Sequence, residues 1–443
     1  MTLRASIGAL ALGAALSLPC GAYPLDGYGY TGIARLEGYR LAQLGEIRPR
    51  HQPPGALLNT DQVMPRLLDY PQLDLPASDP QLTARIGALL GAEADRYGVA
   101  VLDLSDPKNP VYAEHNGRQR HNPGSVGKIL VALGVFQALA DLYPDDIAAR
   151  ERILRETPVV ADEFIVHDHH VVPFWDPQAR RLSHRRLREG DRASLWTYLD
   201  WMCSASSNAA ASMVIQQLLL LVHYGHAYPV DQDEVRRFFR ETPRAELQAL
   251  LERALQQPVT RNGLDLGRLR QGSLFTQTGQ RRVPGTNSYA DARELLRYAL
   301  LLEQGRLVDR FSSREIKRLL YLTQRRIRYA SSPALAGAAV YFKSGSLYRC
   351  KPEEGFVCRQ YQGNRENRMN SLAIIEAPAE GRRLYYLVAV MSNVLRRNSA
   401  VDHQTLATRI HRLIESRHAA PSSAPAPPPA AESSQGSDRP GTR

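Results

Sequence analysis

The sequence predicts an α+β fold: one antiparallel sheet with flanking helices and an inserted all-helical block. Three observations lead there. Strand-like runs occur near both ends of the folded region and not in its middle. The long stretch between them carries helical periodicity. One segment inside it, "SVGKILVALGVFQALADLY" (125–143), is apolar almost all round, so it belongs in the centre of a protein and not on its surface. Pairing the early and late strands into a single sheet, with the helices inserted between them, satisfies all three.

The elements follow in order. Residues 81–95, "LTARIGALLGAEADR", have the spacing of a helix. "YGVAVLDLSD" (97–106) reads as a buried strand and "PVYAEHN" (110–116) as its hairpin partner. The apolar helix starts after Pro123 and Gly124, and 193–222 reads as two helices broken at "SASSN". Helical stretches are expected at 232–256 and 288–304. Strands are expected at 338–346, 371–378 and 384–393, and an amphipathic helix at 399–416.

The ends are expected to lie outside this domain. "MTLR" followed by a short apolar run and "CGA" has the form of an export signal, with cleavage after Ala22. Pro19 argues against processing at Cys20 for a lipid anchor. No later segment is expected to be long and apolar enough to cross a membrane. Residues 23–80, rich in Tyr and Pro and broken at "RPRHQPPGA", read as an extension draped over a domain at 81–418. Residues 419–443 are a Pro/Ala/Ser-rich tail that cannot bury enough to fold.

The 443 residues are enough for a substantial core, and the net charge is +11. Nearly all of the positive side is arginine; the five lysines are Lys108, Lys128, Lys317, Lys343 and Lys351. The positive balance favours carboxylate-bearing ligands or anionic surfaces. No basic stripe with interleaved aromatics is present, so nucleic acid is not an expected partner. Cys350 and Cys358 flank "KPEEGFV" and are placed to form a disulfide in an oxidising compartment. Cys203, among apolar residues, is expected to be a buried thiol.

Three short motifs carry chemistry. Ser125 and Lys128 lie three apart at the head of the apolar helix, so they share a face and the amine can reach the hydroxyl. Burial near other cations lowers a lysine pKa enough for it to take a serine proton. Spacing alone does not make the case: Ser105 and Lys108 repeat it in a proline-containing turn between two strands. Ser206 and Asn208 sit in the helix break, where a hydroxyl could relay a proton and an amide could bind a carbonyl. Taken alone, ordinary helix capping is the better explanation of this pair. Lys343-Ser344-Gly345 ends an apolar strand, where a buried lysine needs a task and a glycine lets a substrate backbone approach. The bland alternative is a surface strand end.

Taken together, Ser-x-x-Lys, Ser-x-Asn and Lys-Ser-Gly occur in the order and contexts of the penicillin-recognising serine hydrolases, and the chain resembles class A β-lactamases most closely. The resemblance covers about residues 81–416, including "GVAVLDL", "TNSYADARELLRYALLLEQGRL" (286–307) and the closing strands. It implies that Ser125 is acylated, that Lys128 helps to deprotonate it, and that Ser206 passes a proton to the leaving nitrogen. It further implies that Lys343 and Ser344 hold the substrate carboxylate and Asn208 its amide. The backbone N–H groups of Ser125 and Ser346 would form the oxyanion hole. No cofactor and no metal is implied. The substrate is expected to be a β-lactam; the alternative is a D-alanyl-D-alanine peptidase or esterase, or a penicillin-binding sensor or scaffold that does not turn over. The extension and the charge mildly favour a cell-wall partner.

Two features depart from that pattern. The loop glutamate that activates the deacylating water has no clear counterpart; Glu241 and Glu246 are the candidates, and no glutamate lies between Arg253 and Arg293. The segment between the first two motifs contains "HDHH", His167 to His170. In an extended strand His167 and His169 would share a face, as zinc ligands can, but no third ligand is evident and a solvated loop is expected. Trp175, Trp196 and Trp201 are expected to pack and not to stack on a ligand.

Overall fold

A computed structural model describes residues 26–48, 52–323 and 326–419. The expected signal peptide, and all but the first residue of the expected tail, lie outside the described residues. Five strands form one antiparallel sheet in the order Val111–His115, Tyr97–Asp103, Leu384–Asn393, Glu366–Ala377 and Ala339–Arg349. The early hairpin therefore pairs with the last strand, as the sequence predicts.

Both faces of the sheet are covered. Ala100, Leu102, Tyr341, Leu372 and Leu387 point into the core shared with the helical block. Their neighbours Val99, Val101, Phe342, Ala373 and Val388 point into a second core, beneath helices Pro80–Leu90 and Ser399–His418. With both faces buried, these strands read as continuous apolar runs instead of alternating ones.

The helical block is built around Lys128–Leu142, whose first twelve residues are all buried. Contrary to expectation, the segment Gly124–Leu142 is long and apolar enough to cross a membrane; it is spent instead as the mostly buried core helix. Leu195–Cys203 and Asn208–Tyr224 are the two helices either side of "SASSN". The single helix expected at 232–256 is two, Gln232–Glu241 and Arg244–Arg261, because Pro243 cannot continue the first. The helix expected from 288 starts at Ala292, capped by the Asp291 side chain. Helix Arg310–Tyr321 was not anticipated, nor was the start of the fourth strand at Glu366, four of whose first five residues are polar.

Residues 26–48 and 52–80 are stitched to this body. Arg35 donates from Nε and Nη2 to the two carboxylate oxygens of Asp200, each at 2.6 Å, and from Nη2 to the Leu322 carbonyl at 2.9 Å. Gly38 lies so close to Trp175 that a Cβ would sit 2.7 Å from its ring, against a hairpin formed by Val172–Asp176 and Arg181–Arg185. Trp196 and Trp201 are buried packing residues, as expected. A disulfide joins Cys350 and Cys358, and Cys203 is a buried free thiol.

Candidate active site

Ser125 lies on a 3-10 turn, Gly124–Gly127, and the α-helix begins only at Lys128. The turn helps: in a 3-10 helix residues three apart eclipse, which sets Lys128 directly over Ser125. The turn is entered through Gly124 at φ +53°, whose N–H donates to Asn122 Oδ1 at 2.9 Å.

Lys128 is fully buried, and its Nζ lies 3.0 Å from Ser125 Oγ. It also donates to the Ser206 carbonyl at 2.6 Å and to Asn208 Oδ1 at 2.7 Å. A neutral amine has two N–H bonds and one lone pair. The two carbonyl oxygens use both N–H bonds, so the lone pair is left facing the serine hydroxyl. Burial, and then the positive charge of Lys343, hold the Lys128 pKa well below the usual lysine range, with Asp168 pulling the other way.

Ser206 has a left-handed backbone, φ +57°. The helix break does its capping through Ser207, whose hydroxyl accepts from Ala210 N–H at 3.1 Å. Capping therefore does not explain Ser206 or Asn208. Ser206 Oγ accepts from Lys343 Nζ at 2.9 Å, and Lys343 also donates to the Ser344 carbonyl at 3.0 Å. Lys343 is 2% exposed, and burial brings its pKa down to about 7. Residues 125, 128, 206, 208 and 343 thus form one connected network, its two halves joined through the Ser206 backbone carbonyl. By contrast Lys108 lies in an exposed turn, with Asp106 accepting from its N–H.

Gly345 serves a different partner from the one expected. A Cβ there would lie 2.4 Å from Pro123 O, 2.6 Å from Ser125 N and 2.9 Å from Val126 N. The backbone that approaches this strand is the protein's own serine turn. Ser344 and Ser346 hydroxyls accept from Arg328, at 2.7 Å from Nη1 and 3.0 Å from Nη2. Arg328 also donates to the Tyr361 hydroxyl at 3.1 Å and lies over its ring. Sequence reasoning missed this arginine: its φ of +55°, just ahead of the strand, leaves no mark in the sequence.

A cleft of about 330 Å³ opens beside Ser125, lined by Asn122, Asn208, Gln271, Phe275, Gln280 and Ser346 among others, none of them acidic. Phe275 covers Lys128, its ring centroid 4.8 Å from Nζ. Glu241 and Glu246 are exposed on the surface helices, Glu241 beside Arg240 and Glu246 in a separate groove with His223. Neither is a counterpart of the missing loop glutamate.

The "HDHH" segment is a loop with His167 and His169 exposed, as expected, but Asp168 departs from it, and the segment is not the extended strand that would pair His167 with His169. His167 has φ +72°, and the chain turns Asp168 inward. Asp168 is 4% exposed and accepts from the Ser207 hydroxyl and Ala209 N–H at 2.8 Å each, and from His170 Nδ1 at 2.5 Å. Burial alone would raise its pKa, but His170 and the backbone donors hold it well below the usual carboxylate range. Donor atoms of Asp168, His169 and His170 fall within 4.8 Å of one another. Both Asp168 oxygens already accept from the protein, and the His169 ring stacks on that of His170 with centroids 4.3 Å apart.

Residues 81–393 match the beta-lactamase enzyme family, over more than half of the chain. The chain belongs to this family. It is a β-lactamase-like serine hydrolase. Among solved structures, one similar in fold is PBP-A, at 14% identity and TM-score 0.46, covering 77% of this chain and 100% of that one. Another is the beta-lactamase from Sphaerobacter thermophilus DSM 20745, at 16% identity and TM-score 0.47, covering 75% and 98%. A third is a beta-lactamase from Chitinophaga pinensis DSM 2588, at 14% identity and TM-score 0.48, covering 76% and 98%. No curated protein matches the chain.

Proposed function

We propose that this family member is an exported serine hydrolase that forms an acyl-enzyme on Ser125 with β-lactams. One observation carries the reading: buried Lys128 Nζ lies 3.0 Å from Ser125 Oγ with two carbonyl oxygens as its other partners, so the neutral amine presents its lone pair to the serine. Lys128 takes the proton as Ser125 attacks the carbonyl. The oxyanion is held by the N–H groups of Ser125 and Ser346, whose strand is brought close by Gly345. The proton leaves through Ser206, polarised by Lys343, to the departing nitrogen. Lys343, Ser344 and Arg328 bind the substrate carboxylate, and Asn208 its amide. Export is supported by the N-terminal pattern and by the Cys350–Cys358 disulfide. Residues 23–80 are proposed as an extension of a catalytic domain at 81–418, with the last residues as a tail.

A second reading is favoured by a specific observation. The cleft beside Ser125 carries amides and hydroxyls but no carboxylate, so no base stands on that side to activate water. Slow release of the acyl group fits a D-alanyl peptidase or esterase better than an efficient antibiotic hydrolase.

The test is incubation of the purified protein with a fluorescent penicillin, alongside Ser125→Ala. Covalent label on the wild type and none on the variant is expected. Rapid loss of label identifies a β-lactamase, and slow loss with release of D-alanine from a D-alanyl-D-alanine peptide identifies a peptidase. An unlabelled wild type would overturn the proposal. The N-terminal residue of protein recovered outside the cytoplasm is expected to be Tyr23.

A further inference from the structure

Ser206 and Lys343 line a second cavity, of about 410 Å³, which shares no lining residue with the amide-lined cleft. Its lining includes His170, Cys203, Ser206, Lys343, Ser344 and Tyr361. His170 enters it with a defined orientation. Its Nδ1 faces Asp168 Oδ1 at 2.5 Å, and its backbone N–H donates to the same oxygen at 3.1 Å. Asp168 is itself anchored by Ser207 and Ala209, the residues that flank Asn208. With Nδ1–H committed to the carboxylate, the lone pair is on Nε2, which has no protein partner among the described residues. The side chain is 25% exposed and lines the cavity.

We infer that Asp168 and His170 are a proton-transfer pair for the second half of the reaction, with His170 Nε2 the base that activates the deacylating water. The inference rests on the Ser125 acyl-enzyme proposed above. Ser206, the proposed donor to the leaving nitrogen, lines this cavity, so water can reach the acyl group from the His170 side whether that nitrogen departs, as in a D-alanyl peptide, or stays tethered, as in an opened β-lactam. As the water oxygen adds to the acyl carbonyl, one of its protons moves to Nε2. Collapse of the tetrahedral intermediate breaks the bond to Ser125 Oγ. The proton held on Nε2 then returns to that oxygen, leaving the free acid, the serine and a neutral imidazole. This supplies the base that the carboxylate-free cleft lacks.

The titratable groups around His170 set the sign of the pH effect. On its own loop are Asp168, which stabilises the charged ring, and His169, which opposes it. Lys128 from the core helix also opposes it, and His184, Cys203, Lys343 and Tyr361 line the rest of the cavity. Burial is the largest influence and moves the His170 pKa below its ordinary value, so the ring is neutral at pH 7.

The experiment separates labelling from release. Full-length wild type, S125A, H170Q and H170A are labelled with fluorescent penicillin, and both steps are followed from pH 5 to 9. H170Q is expected to slow release about 10²-fold, the low end for loss of a general base, while slowing labelling less than threefold. Wild-type release should be flat at neutral pH and fall on acidification, a limb that H170Q lacks. Added imidazole should restore release in H170A, which a merely structural role would not allow. The inference is overturned if H170Q releases at the wild-type rate, if wild type never releases, or if its release has no acid limb. A wild type that takes no label overturns the Ser125 reading itself, and this one with it; label that S125A lacks and H170Q releases normally overturns only the His170 inference.

Discussion

Gly345 and Ser125 meet backbone to backbone: a methyl group on the glycine would stand 2.6 Å from the serine nitrogen. That nitrogen is one of the two proposed oxyanion donors, so strand and turn can form the hole only if position 345 has no side chain. Gly345→Ala is therefore expected to push the serine turn off the strand. Overpacking of this kind costs about 1–3 kcal/mol. A lower midpoint in urea, with a loss of penicillin labelling larger than the stability change explains, is the expected result. An alanine variant that labels at the wild-type rate would show that the contact does not shape the site.

Lys128 is the second test. Lys128→Ala removes the proposed base and leaves Ser125 without an acceptor, so labelling should fall by about 10²–10⁴-fold. Lys128→Arg keeps a positive charge but cannot take a proton, and is expected to fall as far. If the arginine variant were nearly normal, Lys128 would act through its charge and not its lone pair. Labelling rate constants, measured alongside circular dichroism to confirm folding, decide between these outcomes.

Lys343 predicts an alkaline limb. Burial lowers its pKa to about 7 in the free protein, and it binds a carboxylate only while charged. As pH rises through 7 the charge is lost, so the second-order rate constant for labelling should fall. Lys128 must be neutral to act, so its titration gives the opposite, acid limb. The profile is expected to be bell-shaped. Lys343→Arg, which stays charged, should lose the alkaline limb and keep the acid one. An unaltered profile in that variant would assign the limb to another group.

Much of this was legible before the structure. The five sheet strands and the buried helix were readable because apolar runs on a doubly covered sheet, and a helix apolar on every side, have no other place to go. The three motifs were readable as residue types in context. What stayed hidden depends on contacts between distant segments. Asp168 looked solvated because "HDHH" is polar, yet it is drawn inside by donors from Ser207 and Ala209, some forty residues on. Arg328 reaches Ser344 and Ser346 only through an unusual backbone angle. The role of Gly345 was misassigned because sequence shows that a close approach is allowed, not which backbone makes it.

The extension offers the last test. Arg35 and Asp200 are 1% and 0% exposed and joined by two hydrogen bonds of 2.6 Å. Asp200 lies near the end of helix Leu195–Cys203, immediately before the break that holds Ser206 and Asn208. Removing one partner of a buried pair strands the other charge and costs about 3–5 kcal/mol. Arg35→Met is therefore expected to lower stability by that amount, and the double variant Arg35→Met/Asp200→Leu to recover a large part of it. If the extension is only a covering, penicillin labelling of the double variant should match wild type at temperatures where both are folded. If instead this pair sets the position of the Ser206 loop, labelling should stay depressed after stability is regained. Denaturant midpoints and labelling rates on the same three proteins separate the two roles.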